Sequence, residues 1–175
     1  MASHLLYAVS YLRQNGDMRI SRLVFGALAP AALCLAQPVV TVHGLGASTV
    51  KLSLADLAKL PQQTVSVTEQ DKPITYEGVS LMDVLSKVDL PLGEAFHKTG
   101  ASYYLLVDAA DGYKAVFAWA ELDPSFTDRK VYLATRRDGK PLADSEGPFR
   151  LLVPTDKRGG RAVHQVTGLT VKQVN

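Results

Sequence analysis

From residue 39 onward the chain is a series of short apolar runs, each closed by glycine, proline or a polar turn. Val39-Val-Thr-Val42 is β-branched and predicts a strand that ends at His43-Gly-Leu-Gly46. Ser53 then opens a helix: Ser53 and Asp56 have the spacing of a capping box, and Leu54, Leu57, Ala58 and Leu60 share one face until Pro61 stops the run. Thr64–Thr68 alternates as a half-buried strand does, and the polar turn Glu69–Pro73 leads into Ile74–Glu77 as its hairpin partner. Gly78 is expected to break that strand. Ser80 and Asp83 repeat the capping spacing, and Leu81, Val84, Leu85 and Val88 predict a second amphipathic helix.

The second half has the same texture. After a loop from Pro91 to Gly100, strands are predicted over Tyr103–Val107 and Tyr113–Phe117, joined by an Asp111-Gly112 turn. One helical turn, Trp119–Leu122, precedes Asp123-Pro124. Further strands follow at Val131–Thr135 and Phe149–Val153, separated by a turn at Asp138–Pro141 and by Gly147-Pro148. A basic glycine loop, Lys157-Arg-Gly-Gly-Arg161, leads to a last strand within Val166–Val174. No repeat, linker or low-complexity run interrupts the series. The pattern predicts one α+β domain, a mixed β-sheet with a few short helices near its start.

The first 36 residues follow a different logic. Met18-Arg-Ile-Ser-Arg22 is succeeded by the apolar stretch Leu23–Ala36 and then by Gln37-Pro38, the layout of a secretory signal peptide. The stretch is short for a bilayer span, which takes about 20 apolar residues. Cleavage is expected after Ala36, with Cys34 at the third position before the cut. Met18 is a natural start for such a signal, so residues 1–17 read as an upstream start-site extension. The competing readings are a buried N-terminal helix, and a lipoprotein anchored through Cys34, which Leu33 disfavours by standing where a small residue is needed. The expectation is a periplasmic or secreted product, residues 37–175, with no membrane span once the signal is removed.

Charge and composition narrow the function. The 175 residues are 47% hydrophobic and 21% charged, enough for a packed core. The net charge is +2, but three arginines and one aspartate lie before Gln37, and the remainder is balanced at 16 basic and 16 acidic residues. A nucleic-acid-binding domain carries a basic excess, so no nucleic-acid partner is expected. Cys34 is the only cysteine, which excludes an internal disulfide, a CxxC redox pair and a thiolate zinc cluster. His4, His43, His97 and His164 are too scattered for a metal motif, and no serine sits in a G-x-S-x-G setting. Asp108, Asp111, Asp138 and Asp144 lie in turns, where backbone hydrogen bonding is sufficient reason for them. His97 reads as a solvated loop residue, and Trp119, Tyr103 and Tyr104 as core or rim aromatics. His164 follows Gly159-Gly160-Arg161, a loop that either directs backbone N–H groups and a guanidinium at an anion or is simply solvated.

The order of the motifs carries more information than any one of them. Tyr76-Glu-Gly-Val-Ser-Leu-Met-Asp-Val-Leu85, then Asp111-Gly-Tyr113, then Leu133-Ala134 with Asp138-Gly-Lys-Pro-Leu142, then Gly147-Pro-Phe-Arg-Leu-Leu-Val-Pro154, and finally the Gly-Gly-Arg loop before the last strand form a series. Over residues 50–173 this series resembles the molybdopterin-binding domain of the sulfite oxidase family. The resemblance implies a mixed α+β sheet fold, oxidoreductase chemistry, and molybdenum held by a pterin dithiolene and one protein cysteine. It places Arg150 where a pterin-contacting arginine lies and Arg161 at a basic position of the glycine loop. Gly159, Gly160 and His164 complete the implied cofactor-binding set.

The departures are as specific as the matches. The family's metal-binding cysteine precedes the segment matching Tyr76–Val79, and Thr64–Pro73 contains none. A serine or threonine cannot replace the soft thiolate. His164 stands where a lysine is expected, Gln165 replaces an aromatic, and the histidine near Gly147 is missing. The reading is therefore an exported domain of the molybdopterin oxidoreductase family without molybdenum redox catalysis, molybdopterin being the implied cofactor and no metal being expected. The alternative is a non-catalytic periplasmic binding or sensor-accessory module for a small anionic ligand or a partner protein. Convergence of Arg150 and Arg161 around Gly159-Gly160 would build a partial oxyanion cradle. In the competing arrangement Arg150 pairs with Asp144 or Glu146, and Arg161 is solvated.

Overall fold

A computed structural model of the chain describes residues 37–69, 72–90 and 100–174. The expected signal segment, with Cys34, and the loop carrying His97 lie outside the described residues. Within them, ten strands divide between two sheets. The first contains β1 (Val39–His43), β2 (Thr49–Ser53), β5 (Tyr103–Ala109), β6 (Lys114–Ala118) and β10 (Val166–Gln173), in the order β2-β1-β10-β5-β6. Its pairs are antiparallel except β1 with β10, which run parallel with Thr41 opposite Gly168. The second contains β3 (Gln62–Glu69), β4 (Lys72–Ser80) and β7 (Tyr132–Arg137) in antiparallel order. Two short strands, β8 (Lys140–Pro141) and β9 (Arg150–Leu152), both pair with the free side of β7. Two short helices, α1 (Leu54–Leu57) and α2 (Leu81–Leu85), complete the mixed α+β architecture.

Alternation along the strands decides where the core lies. Val40, Val42, Leu105, Val107, Phe117, Leu169 and Val171 of the first sheet join Val79, Leu133 and Leu151 of the second in one buried cluster with Leu57, Leu81, Val84 and Leu85. The opposite face of the second sheet carries a smaller cluster, Ile74, Tyr76, Ala134 and Leu152, with Val67 packed against it. Leu151 therefore belongs to the main core, while Arg150 and Leu152 point to the other side. That side bears the candidate site.

Most predicted elements are present, and the differences have local causes. The Ser53 capping box forms: the Asp56 N–H donates to Ser53 Oγ at 3.2 Å and the Ser53 N–H donates to Asp56 Oδ2 at 3.1 Å. Hydrogen bonds from Ser53, then Lys59, hold the Asp56 carboxyl well below the usual carboxylate range. Ser80 caps α2 by position but makes no side-chain capping bond. Strand β2 was not anticipated, because its end residue, Ser53, also carries the cap of α1. Gly78 does not break β4, which continues to Ser80. It lies at a register shift between Glu77 and Gly78, where the neighbouring strand β7 approaches closely. A Cβ at this position would lie 2.3 Å from the Leu133 carbonyl oxygen and 2.6 Å from Ala134 Cα.

Candidate functional site

The outer face of the second sheet opens into a cleft of about 850 Å3. One wall is the second half of β3, Ser66 to Glu69, and the floor holds Arg150 and Leu152 of β9. The other wall is the segment after β9, with Asp156, Lys157, Arg158, Gly159 and His164. The sheet register explains why these groups meet. Arg150 and Leu152 share a face by strand alternation, Arg150 pairs in register with Ala134, and β4 lies between β7 and β3.

Arg150 is the most constrained polar residue here, its side chain 7% exposed. Its Nη1 donates to Glu146 Oε2 at 3.0 Å and to the Tyr76 hydroxyl, and its Nη2 donates to Glu69 Oε1 at 2.7 Å. Its Nε is buried with no hydrogen-bond partner. Arg137 donates to Glu146 Oε1 at 2.5 Å and stands 3.7 Å from Glu69 Oε2. The Tyr76 ring lies against both guanidiniums, with centroid distances of 4.9 Å to Arg150 and 5.6 Å to Arg137. Two arginines and two glutamates thus surround one buried phenol, whose hydroxyl donates to Glu69 Oε1 at 3.2 Å, and Asp138 Oδ2 lies 4.0 Å from Arg137 Nε beside them. Burial pushes Tyr76 up to about 12, against the opposing pull of Arg150.

The structure brings together Arg150, Gly159 and His164 of the five residues singled out from the sequence. Arg161 and Gly160 are not among the residues lining the cleft. Arg161 is neither solvated nor directed at Arg150. Its Nε and Nη2 donate to the two Asp156 oxygens at 2.9 and 2.8 Å, and its Nη1 donates to Glu121 at 2.8 Å. Its guanidinium lies 4.7 Å from the centroid of the Phe117 ring. The bidentate bond to Asp156 lowers that carboxyl and raises Arg161 above its usual value. The Gly160 carbonyl accepts from the Tyr113 hydroxyl at 2.5 Å. Of the partners foreseen for Arg150, Glu146 is present, whereas Glu69 and Tyr76 were not expected. The usable signal was periodicity: Val67, Glu69, Ile74 and Tyr76 share one face of a hairpin.

Lys157 and Arg158, at the rim, are exposed and form no ion pair among the described residues, and His164 beside them is exposed as well. Gly159 has no positive φ, and a Cβ there would meet nothing within 4 Å, so no intramolecular contact demands a glycine. What the missing side chain provides is bare backbone facing the cleft. Chemically, the cleft offers guanidinium, ammonium, imidazole, hydroxyl and carboxylate groups.

Comparison with known proteins bears on the family and the fold. The family described as "Oxidoreductase molybdopterin binding domain" matches residues 72–175. Among solved structures, the sulfane dehydrogenase SoxCD from Paracoccus pantotrophus superposes with a TM-score of 0.60 at 20% identity, over 78% of this chain. The match spans 39% of the SoxCD chain. No curated protein sequence matches.

Proposed function

The chain belongs to the oxidoreductase molybdopterin-binding domain family, and from that premise we propose that it uses the family's cleft to hold a small oxyanion, phosphate or carboxylate, without cysteine-ligated molybdenum chemistry. Lys157 and Arg158, which form no ion pair among the described residues, carry this reading beside His164 and the bare Gly159 backbone. A guanidinium or ammonium that has no internal carboxylate is available for a charge-assisted bond to a ligand.

The donor set does not fit a molybdenum centre. Such a centre is held in this family through a thiolate, and the only cysteine of the chain, Cys34, precedes the domain. No residue lining the cleft carries a thiol, and the hydroxyls of Ser66 and Thr68 on β3 are hard groups, poor substitutes for a soft sulfur ligand. No redox step is therefore routed through this cleft. The fit to an anion is better, and the phosphate of a pterin is one such anion. Family membership favours a second reading, in which the cleft holds the organic cofactor itself.

Calorimetric titration with inorganic phosphate, sulfate and acetate tests the proposal. Saturable binding is expected in the wild type and about tenfold weaker binding in Lys157→Ala and Arg158→Ala, the loss of one charge-assisted bond. Both residues are exposed, so the melting temperature should not move. Equal, negligible heats from all three proteins overturn the reading. Elemental analysis of protein from a molybdate-supplied host should find no stoichiometric molybdenum, and a value near one per chain refutes that part.

The same proposal places the domain outside the cytoplasm. Arg19 and Arg22, the apolar run to Ala36 and the Gln37-Pro38 boundary support export. N-terminal sequencing of the periplasmic product should begin at or next to Gln37. An intact Met1 or Met18 terminus on cytoplasmic protein is the contrary result.

A further inference from the structure

We infer that Glu69 is a built-in competitor for Arg150, and that an oxyanion reaches this arginine by displacing the Glu69 carboxylate. The inference rests on the proposed anion-binding role of the cleft and adds the residue that sets its affinity.

Three observations carry it. First, Glu69 occupies Arg150 incompletely. Its Oε1 takes Nη2 at 2.7 Å, while the buried Nε has no partner. An arginine fork binds an oxyanion through two parallel N–H groups. Glu69 cannot supply the second contact while its other oxygen is drawn toward Arg137, 3.7 Å away. A free oxyanion seated on the Nε edge is under no such constraint and would satisfy both donors.

Second, Glu69 is the member of the cluster best placed to leave. Its side chain is 30% exposed against 16% for Glu146, and it lines the cleft. Glu146 is held by both arginines, at 2.5 and 3.0 Å, whereas Glu69 is held closely by Arg150 alone, at 2.7 Å, with longer contacts to the Tyr76 hydroxyl at 3.2 Å and to Arg137 at 3.7 Å. Glu69 also ends edge strand β3, where pairing with β4 finishes at Glu69–Lys72, so its movement breaks no inner ladder.

Third, the charges require it. With Glu69 in place Arg137 and Arg150 face three carboxylates, Glu69, Glu146 and, 4.0 Å from Arg137, Asp138, and the cluster offers an anion no net attraction. With Glu69 swung out toward solvent the excess negative charge leaves and the carboxylate beside Arg150 is removed from the cleft floor, while Glu146 and Tyr76 still hold Arg150 in position.

Phosphate titration at fixed ionic strength on wild type, Glu69→Gln and Glu146→Gln tests the inference. Glu69→Gln should bind inorganic phosphate about tenfold tighter, since a charged competitor is replaced by a neutral one. Glu146→Gln removes the same charge but leaves Glu69 on Arg150, and should show no such gain. Glu69→Asp, which shortens the reach and keeps the charge, should fall between wild type and Glu69→Gln, and serves if the glutamine variant unfolds. Affinity unchanged in Glu69→Gln, or raised equally in Glu146→Gln, overturns the inference. Wild-type binding that is lost in Arg158→Ala yet unmoved by Glu69→Gln does so while leaving the anion-binding reading intact. Absence of binding in the wild type and in every variant removes both.

Discussion

Replacement of Gly78 by alanine should lower the melting temperature by about 10 °C, the equivalent of roughly 3 kcal/mol in a domain of this size. The new Cβ would lie 2.3 Å from the Leu133 carbonyl oxygen and 2.6 Å from Ala134 Cα. Both are backbone atoms, so no side-chain rotation relieves the clash. Relief requires β4 and β7 to part at the register shift, which strains the ladder that also carries β8 and β9. Gly159→Ala is the internal comparison: nothing lies within 4 Å of its added Cβ, and its melting temperature should match wild type. Thermal unfolding of the two variants side by side decides the matter. A fall of under 2 °C in Gly78→Ala would show that the two strands separate there at little cost.

Tyr76 should make the fold sensitive to alkali. Burial raises its folded value to about 12 from an ordinary 10.0, so the neutral phenol is the form the folded chain favours. That contribution is fully present below pH 10 and is lost as pH rises through the folded value. Two pKa units correspond to about 2.7 kcal/mol. Tyr76→Phe cannot ionise. At neutral pH it should be less stable by about 1–2 kcal/mol, having lost the hydroxyl that bonds Glu69 and accepts from Arg150. Between pH 10 and pH 12 this deficit should close, because wild type alone pays for an un-ionised phenol. Urea unfolding free energies of both proteins across that range provide the check. Parallel curves would mean that Tyr76 titrates like a solvated tyrosine.

The fold was legible where local chemistry and long-range packing agreed. Capping spacing at Ser53, the Asp138-Gly139 turn and β-branched alternation each placed the start of an element within two residues, while the ends of α1 and β4 lie three residues from those expected. In the turn both residues adopt positive φ, at 48° and 74°. Gly78 was misjudged because glycine in a strand has two meanings, a stop or a close approach, and only the partner strand separates them. The site was half legible. Motif order led to Arg150, Gly159 and His164, but motif order does not reveal which carboxylates face an arginine. Asp156 lies five residues before Arg161 and captures it by a local bidentate bond. Glu69 lies 81 residues before Arg150 and meets it only through the β3-β4-β7-β9 register.

The parallel pairing of β1 with β10 has a consequence for assembly. The first strand of the domain is joined to the rest of its sheet by the last one, across more than a hundred residues. Until Val166–Gln173 has been synthesised, that sheet exists as two unconnected hairpins, β1-β2 and β5-β6, each too small to persist alone in water. Completion of the main core therefore waits for β10, and the segments made before it cannot close the domain without it.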